Sequence, residues 1–148
     1  MPLPPFTESG DLPPGVHRAT LREVLDRFGT ESPRRKAITL RLDRVCRLAT
    51  ATGHLARCVV FGSFVTAKSD PNDVDVFLLM EDAFDVGLLG GETRLLFDHA
   101  AAQAYFGASV FWLRRLAALR GEQETIDDWQ VRRDGGKRGI VEITAEAS

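Results

Sequence analysis

A chain of 148 residues with 44% apolar and 27% charged side chains has the make-up of one ordinary globular domain with one packed core. Its formal net charge of −2 excludes broad electrostatic binding to DNA, which needs an excess of Lys and Arg over the phosphates. With no apolar run near the ~20 residues that cross a bilayer, and a Pro-rich start that lacks the charged and apolar regions of a signal peptide, the expectation is a cytoplasmic protein with no membrane partner.

In chain order, residues 1–16 carry five prolines and no periodic apolar pattern, so they read as an extended proline-rich arm, leaving 17–148 as a single domain. Thr20 and Glu23 fit a capping box. Leu21, Val24, Leu25 and Phe28 repeat on one helix face before Gly29 stops it. Ser32 as N-cap and Pro33 at the first helical position open a longer helix, whose core face is Ile38, Leu42, Val45 and Ala49 and whose stop is Gly53. Residues 57–61 are short, apolar and β-branched and break at Gly62, the pattern of a buried strand entering a tight turn. A second strand is expected over 73–80, then a glycine-rich loop over 82–91. One helix over 92–106 follows, with His99 in its middle and Gly107 at its end. A third strand is expected over 108–113. Residues 114–125 fit helix or loop equally, and 129–143 read as a hairpin around Asp134-Gly135-Gly136. Cys46 and Cys58 have no CxxC or Cys/His spacing and are expected as buried free thiols.

The near-neutral total conceals a segregation. Residues 17–47 hold nine Lys and Arg against four acidic residues, while 70–98 hold eight Asp and Glu against Arg94 alone. The basic segment suits a solvated helix face or contact with a polyanion, and the acidic one could hold a divalent metal.

The chemistry concentrates in 61–76. Side chains alternate along a strand, so Asp73 and Asp75 share one side of the sheet within a few ångströms. Their repulsion is costly unless a cation lies between them, and hard oxygen ligands without His or Cys point to Mg²⁺ or Mn²⁺ rather than zinc. Gly62, with no Cβ, lets the backbone approach a phosphate, and Ser63 adds a hydroxyl. Lys68, between the two strands, can reach a phosphate as a flexible point charge. The Thr66 hydroxyl can serve that phosphate or its own turn. Trp112 and Trp129 read as packing residues, and Arg132, Arg133, Lys137 and Arg138 flank the last turn.

An apolar strand, Gly62-Ser63, a nine-residue gap and Asp73-Val74-Asp75-Val76 together resemble the signature of the DNA-polymerase-β-like nucleotidyltransferase superfamily, in particular a small stand-alone bacterial branch. The resemblance implies an α/β (α+β) fold, a mixed sheet flanked by helices, here with a C-terminal hairpin. It also implies transfer of a nucleoside monophosphate from an NTP, with ATP as the expected substrate, to a hydroxyl of a protein or RNA acceptor. Members include antitoxins that modify a toxin partner. Carried over by residue, Gly62 and Ser63 cradle the phosphates and Asp73 and Asp75 ligate metal. The family's third carboxylate, on a later strand, falls at Ser109 in this chain. Neutral Ser supplies neither charge nor a base, so the alternative is a degenerate domain that binds nucleotide or a protein partner without turnover, unless Glu92 or Asp98 reaches the site instead.

Overall fold

The computed structural model describes residues 3–132 and 134–145; Arg133 lies outside them. The fold is mixed α/β. A five-stranded sheet is built from β1 (Val16–Thr20), β2 (Leu55–Phe61), β3 (Val74–Met80), β4 (Ala108–Arg114) and β5 (Ile140–Thr144), in the order β1-β5-β2-β3-β4. β1 runs parallel to β5 and β3 parallel to β4, while β2 is antiparallel to both its neighbours, β5 and β3. Five helices flank it: α1 (Leu21–Phe28), α2 (Pro33–Ala51), α3 (Gly91–Leu96), α4 (His99–Phe106) and α5 (Glu122–Asp128). None of the helices described is long and apolar enough to cross a membrane.

Local signals account for the first two helices. The Thr20 hydroxyl accepts from the Glu23 N–H at 3.2 Å and the Glu23 carboxylate accepts from the Thr20 N–H at 3.0 Å, the reciprocal bonds of a capping box. Ser32 caps α2 by accepting from the Arg35 N–H at 3.1 Å.

Two expectations change and one strand is new. The single helix over 92–106 is two helices, because Asp98 accepts from the Ala101 N–H at 3.1 Å and caps α4. The break lets Phe97 turn into the core against Phe84 and Trp112, while its carbonyl accepts the Trp112 indole N–H at 2.9 Å. β1 has no sequence expectation behind it: only Ala19 of its five residues is buried, and the strand exists by pairing with β5, which lies 124 positions later. In the tail, Val131 and Lys137 make one antiparallel bridge around the 134–136 turn. Trp129 sits at the end of α5 rather than in a strand, and β5 runs on to pair with β1 and β2.

The two sheet faces differ. Val74, Val76, Leu78 and Met80 of β3 join Val60, Val110 and Val141 in the main core, beneath α1 to α4, where Ile38, Leu42, Val45 and Ala49 of α2 are fully buried. The opposite face carries a small second core of Val59, Phe77, Leu79, Ile126 and Ile140, with Phe61, Phe111, Leu113 and Trp129 packed around it. α5 is pinned over that face by Arg57, which makes paired bonds to the buried Glu142 at 2.7 and 2.9 Å and reaches Gln123 of α5 at 3.3 Å. Residues 3–15 form no helix or strand, yet Leu12 is fully buried and Asp11 pairs with Arg132 at 2.9 Å. Arg27 holds the carbonyls of Leu3 and Pro4.

Candidate functional site

β2 ends at Phe61 and the chain turns at Gly62, whose φ of +81° is a conformation L side chains rarely adopt. A Cβ added there would lie 2.0 Å from Oδ2 of Asp75. Both facts demand glycine. The Asp75 carboxylate therefore rests directly against the backbone of the Gly62-Ser63 turn.

Strand register places the carboxylates. Asp75 is the Cα partner of Phe61 on one side and of Ser109 on the other, and the Ser109 hydroxyl donates to Oδ2 of Asp73 at 2.8 Å. Gly62, Asp73, Asp75 and Ser109 thus converge at one end of the sheet, on the face against which α5 packs. Asp73 and Asp75 are half-buried and Ser109 is buried. Thr66 is buried with its hydroxyl turned into its own loop, donating to the Ser63 carbonyl at 2.6 Å and accepting from the Lys68 N–H at 3.2 Å. Thr66 shapes the turn. Lys68 is exposed on the same loop.

The residue that sequence reasoning missed is Arg35. Counted there with the basic face of α2, it is only 3% exposed. Its guanidinium donates to the carbonyls of Phe28 and Phe64 at 2.9 and 2.8 Å, and to those of Thr66 and Lys68 at 2.7 and 2.5 Å. Burial lowers its pKa, opposed by the charges of Glu31 and Asp70, but guanidinium starts so high that it stays charged. This one side chain holds the loop that joins the Gly62-Ser63 turn to Asp73. The available signal was position: Arg35 lies in the first turn of α2, three residues after the N-cap Ser32, in helical phase with Ile38 and Leu42 of the core face.

The acidic segment disperses. Asp82 accepts from the Leu116 N–H at 2.8 Å, Asp85 from the Gly87 N–H at 2.9 Å, and Asp98 caps α4. Glu92 pairs with Arg44, whose hydrogen bond holds its carboxyl below the usual range. Neither Glu92 nor Asp98 stands in for a third carboxylate, and of the eight acidic residues only Asp73 and Asp75 enter the site. His99 opens α4, exposed, with its ring nitrogen 3.1 Å from the outward carbonyl of Val110 on the edge strand. Cys46 and Cys58 are buried free thiols. Their mutual hydrogen bond, together with burial, raises the Cys46 pKa well above the ordinary thiol value. They line a cleft of about 630 Å³ between α2, β2 and β5, apart from the carboxylates.

No group of three or more His, Cys, Asp or Glu suited to a metal occurs among the described residues. Two carboxylates do fit one Mg²⁺, an ion commonly held by one or two carboxylates with substrate phosphates and water completing its shell. They do not by themselves fill the sites of two ions.

Beside the carboxylates stands an aromatic wall. The Trp129 ring lies 4.6 Å from that of Phe61, 5.2 Å from Phe77 and 5.1 Å from Phe111, centroid to centroid. Among the described residues, the buried Trp129 indole N–H meets no acceptor. Compared with known proteins, residues 4–144 match a family model described as a family of unknown function, DUF6932. No curated protein and no solved structure matches the chain.

Proposed function

The chain belongs to DUF6932, a family of unknown function, and we propose that it binds a metal-complexed nucleoside triphosphate at the 62–75 site and transfers the NMP group to a hydroxyl acceptor. The observation that carries this reading is the placement of Asp75 against the Gly62-Ser63 backbone. A cation held by the carboxylates and a phosphate seated on the turn would be in contact. Asp73 and Asp75 would hold the ion, Gly62 and Ser63 would receive the phosphates, and Lys68 would add a mobile positive charge at the rim. The bound metal would supply charge neutralisation on the transferring phosphate. Ser109, by donating to Asp73, would orient that carboxylate. The acceptor is a protein or RNA hydroxyl, a toxin partner among the candidates, and Mg²⁺ or Mn²⁺ with ATP is the expected pair.

A second reading is favoured by Ser109 itself. A hydroxyl replaces the third carboxylate, so no group at that position can take the acceptor proton, and the site would bind nucleotide or a partner without turnover. Calorimetric titration of each NTP with and without Mg²⁺, repeated on Asp73→Ala, tests what both readings share. Labelling of acceptors with α-labelled nucleotide then separates them. Binding that is independent of Mg²⁺ and of Asp73 would sink both.

A further inference from the structure

Resting on that reading, we infer that the aromatic wall beside Asp75 is the seat of the nucleotide's base, and that the site takes purine in preference to pyrimidine nucleotides. Phe61 immediately precedes the Gly62-Ser63 turn and is the Cα partner of Asp75. Its ring, with those of Phe111 and Trp129, lies on the same sheet face as Asp75 and Ser109. A triphosphate on the turn therefore has its ribose and base directed over side chains one residue away.

These rings are not sealed into a core. Phe77 is only 1% exposed, but Phe61, Phe111 and Trp129 are each half-buried, because among the described residues the cover on that face is the seven-residue α5 and, over Phe111 at the sheet edge, the His99 ring at 4.8 Å. The contrast with Trp112 is informative. Trp112, equally half-buried against the main core, is boxed edge-on between Phe84 and Phe97 with its N–H satisfied. Trp129 instead lies over three phenyl rings at tilts of 31°, 36° and 40°, and the Arg57–Glu142 pair and Gln123 hold its helix in place. A rigid, partly open indole is a stacking surface that loses little entropy on binding. Its two fused rings overlap a bicyclic base more fully than a monocyclic one, which is the source of the purine preference.

The test compares Mg²⁺ complexes of ATP, CTP and inorganic tripolyphosphate by calorimetry and by tryptophan fluorescence, on wild type, Trp129→Phe and Trp129→Ala. Stacking on one aromatic residue predicts ATP bound about tenfold more tightly than tripolyphosphate, with CTP between them. ATP should quench the emission of wild type but not that of Trp129→Phe, whose remaining indole is Trp112 on the opposite face. Trp129→Ala should bring ATP to within twofold of tripolyphosphate and leave tripolyphosphate itself unchanged. Should Trp129→Ala not fold, the wild-type ligand series and the Trp129→Phe fluorescence still decide. Equal binding of ATP and tripolyphosphate, both lost in Asp73→Ala, would overturn the base site while leaving the metal-triphosphate reading intact. So would an ATP preference that survives in a folded Trp129→Ala. If neither ATP nor tripolyphosphate binds, the proposed function fails and the base site with it.

Discussion

Arg35 is the residue whose removal should reach both fold and site. Four main-chain carbonyls share its guanidinium, all at 2.5–2.9 Å, and those of Phe28, Phe64 and Thr66 belong to buried residues. A hydrogen bond to a charged group is worth about 1.5–3 kcal/mol, yet four such terms do not add, because the desolvation of the guanidinium opposes them and the carbonyl of exposed Lys68 can be rehydrated. Arg35→Met should therefore cost about 3–5 kcal/mol, the range for breaking a buried charged network. Against a total stability of about 5–15 kcal/mol, that is a large fraction, and at ~2–4 °C per kcal/mol for a domain of this size Tm should fall by ~6–20 °C. Arg35→Lys should recover little of it. An ammonium is a single point of donation and cannot bridge two pairs of carbonyls as the planar fork does. Urea unfolding followed by circular dichroism measures both variants, with exposed Arg34→Met as the control, expected within about 0.5 kcal/mol of wild type. An Arg35→Met protein within 1 kcal/mol of wild type, or an Arg35→Lys protein equal to it, would refute the assignment of Arg35 as the anchor of the 62–68 loop.

The other predictions concern the site and the tail. Gly62→Ala adds a methyl 2.0 Å from the Asp75 carboxylate at a φ of +81° and ψ of −166°, a conformation that is essentially glycine-only and costs other residues about 1–3 kcal/mol. It should lower Tm and abolish Mg²⁺-dependent ATP binding; retention of wild-type affinity would show that the close approach is irrelevant to the ligand. Ser109→Asp should raise NMP transfer by up to roughly a thousandfold if a missing carboxylate limits the rate by several kcal/mol; an active wild type whose rate is unchanged or lowered by it would make the hydroxyl the working group. Asp134 is held at a pKa of about 2 against an ordinary 3.8, chiefly by the side-chain hydrogen bond from Arg132 and then by the Gly136 N–H. A depressed carboxyl pKa stabilises above the unfolded value and is lost as pH falls through the folded one. The urea midpoint of wild type should therefore decline between pH 3.8 and about 2 more than that of Asp134→Asn; equal declines would remove Asp134 from the account.

Much of this protein is legible along the chain. Thr20 with Glu23 and Ser32 with Pro33 mark helix starts because capping is chemistry between residues three apart. The strands at 57–61, 73–80 and 108–113 read correctly because a buried strand is continuous apolar sequence. Gly62, Asp73 and Asp75 stand out for the same reason, since a turn that needs positive φ and a period of two are local properties. Asp98 shows where local reading stops. Its neighbours carry helical periodicity through 92–106, and only the packing of Phe97 against Phe84 and Trp112 makes a break and a new cap the better solution.

What tertiary structure alone decided is which charges are used and which faces are covered. Arg34, Arg35 and Lys36 form one basic run, and while helical phase turns Arg35 inward, it is the convergence of the Phe28 carbonyl with those of Phe64, Thr66 and Lys68 from far along the chain that makes its burial tolerable. The acidic run of 70–98 looks like a metal site by composition, but Asp82, Asp85, Glu92 and Asp98 are drawn to separate turns, an arginine and a helix cap, and only Asp73 and Asp75 reach the Gly62 turn. β1 has no sequence signature because an edge strand takes its hydrogen bonds from β5, far along the chain. The sequence by itself determined the turn and the carboxylate pair, whose geometry depends on bonds between near neighbours. Ser109 too was legible, as the later-strand position beside that pair, whereas the partners Arg35, Phe61 and Trp129 were set by how the helices and strands pack and by the face that α5 leaves partly open.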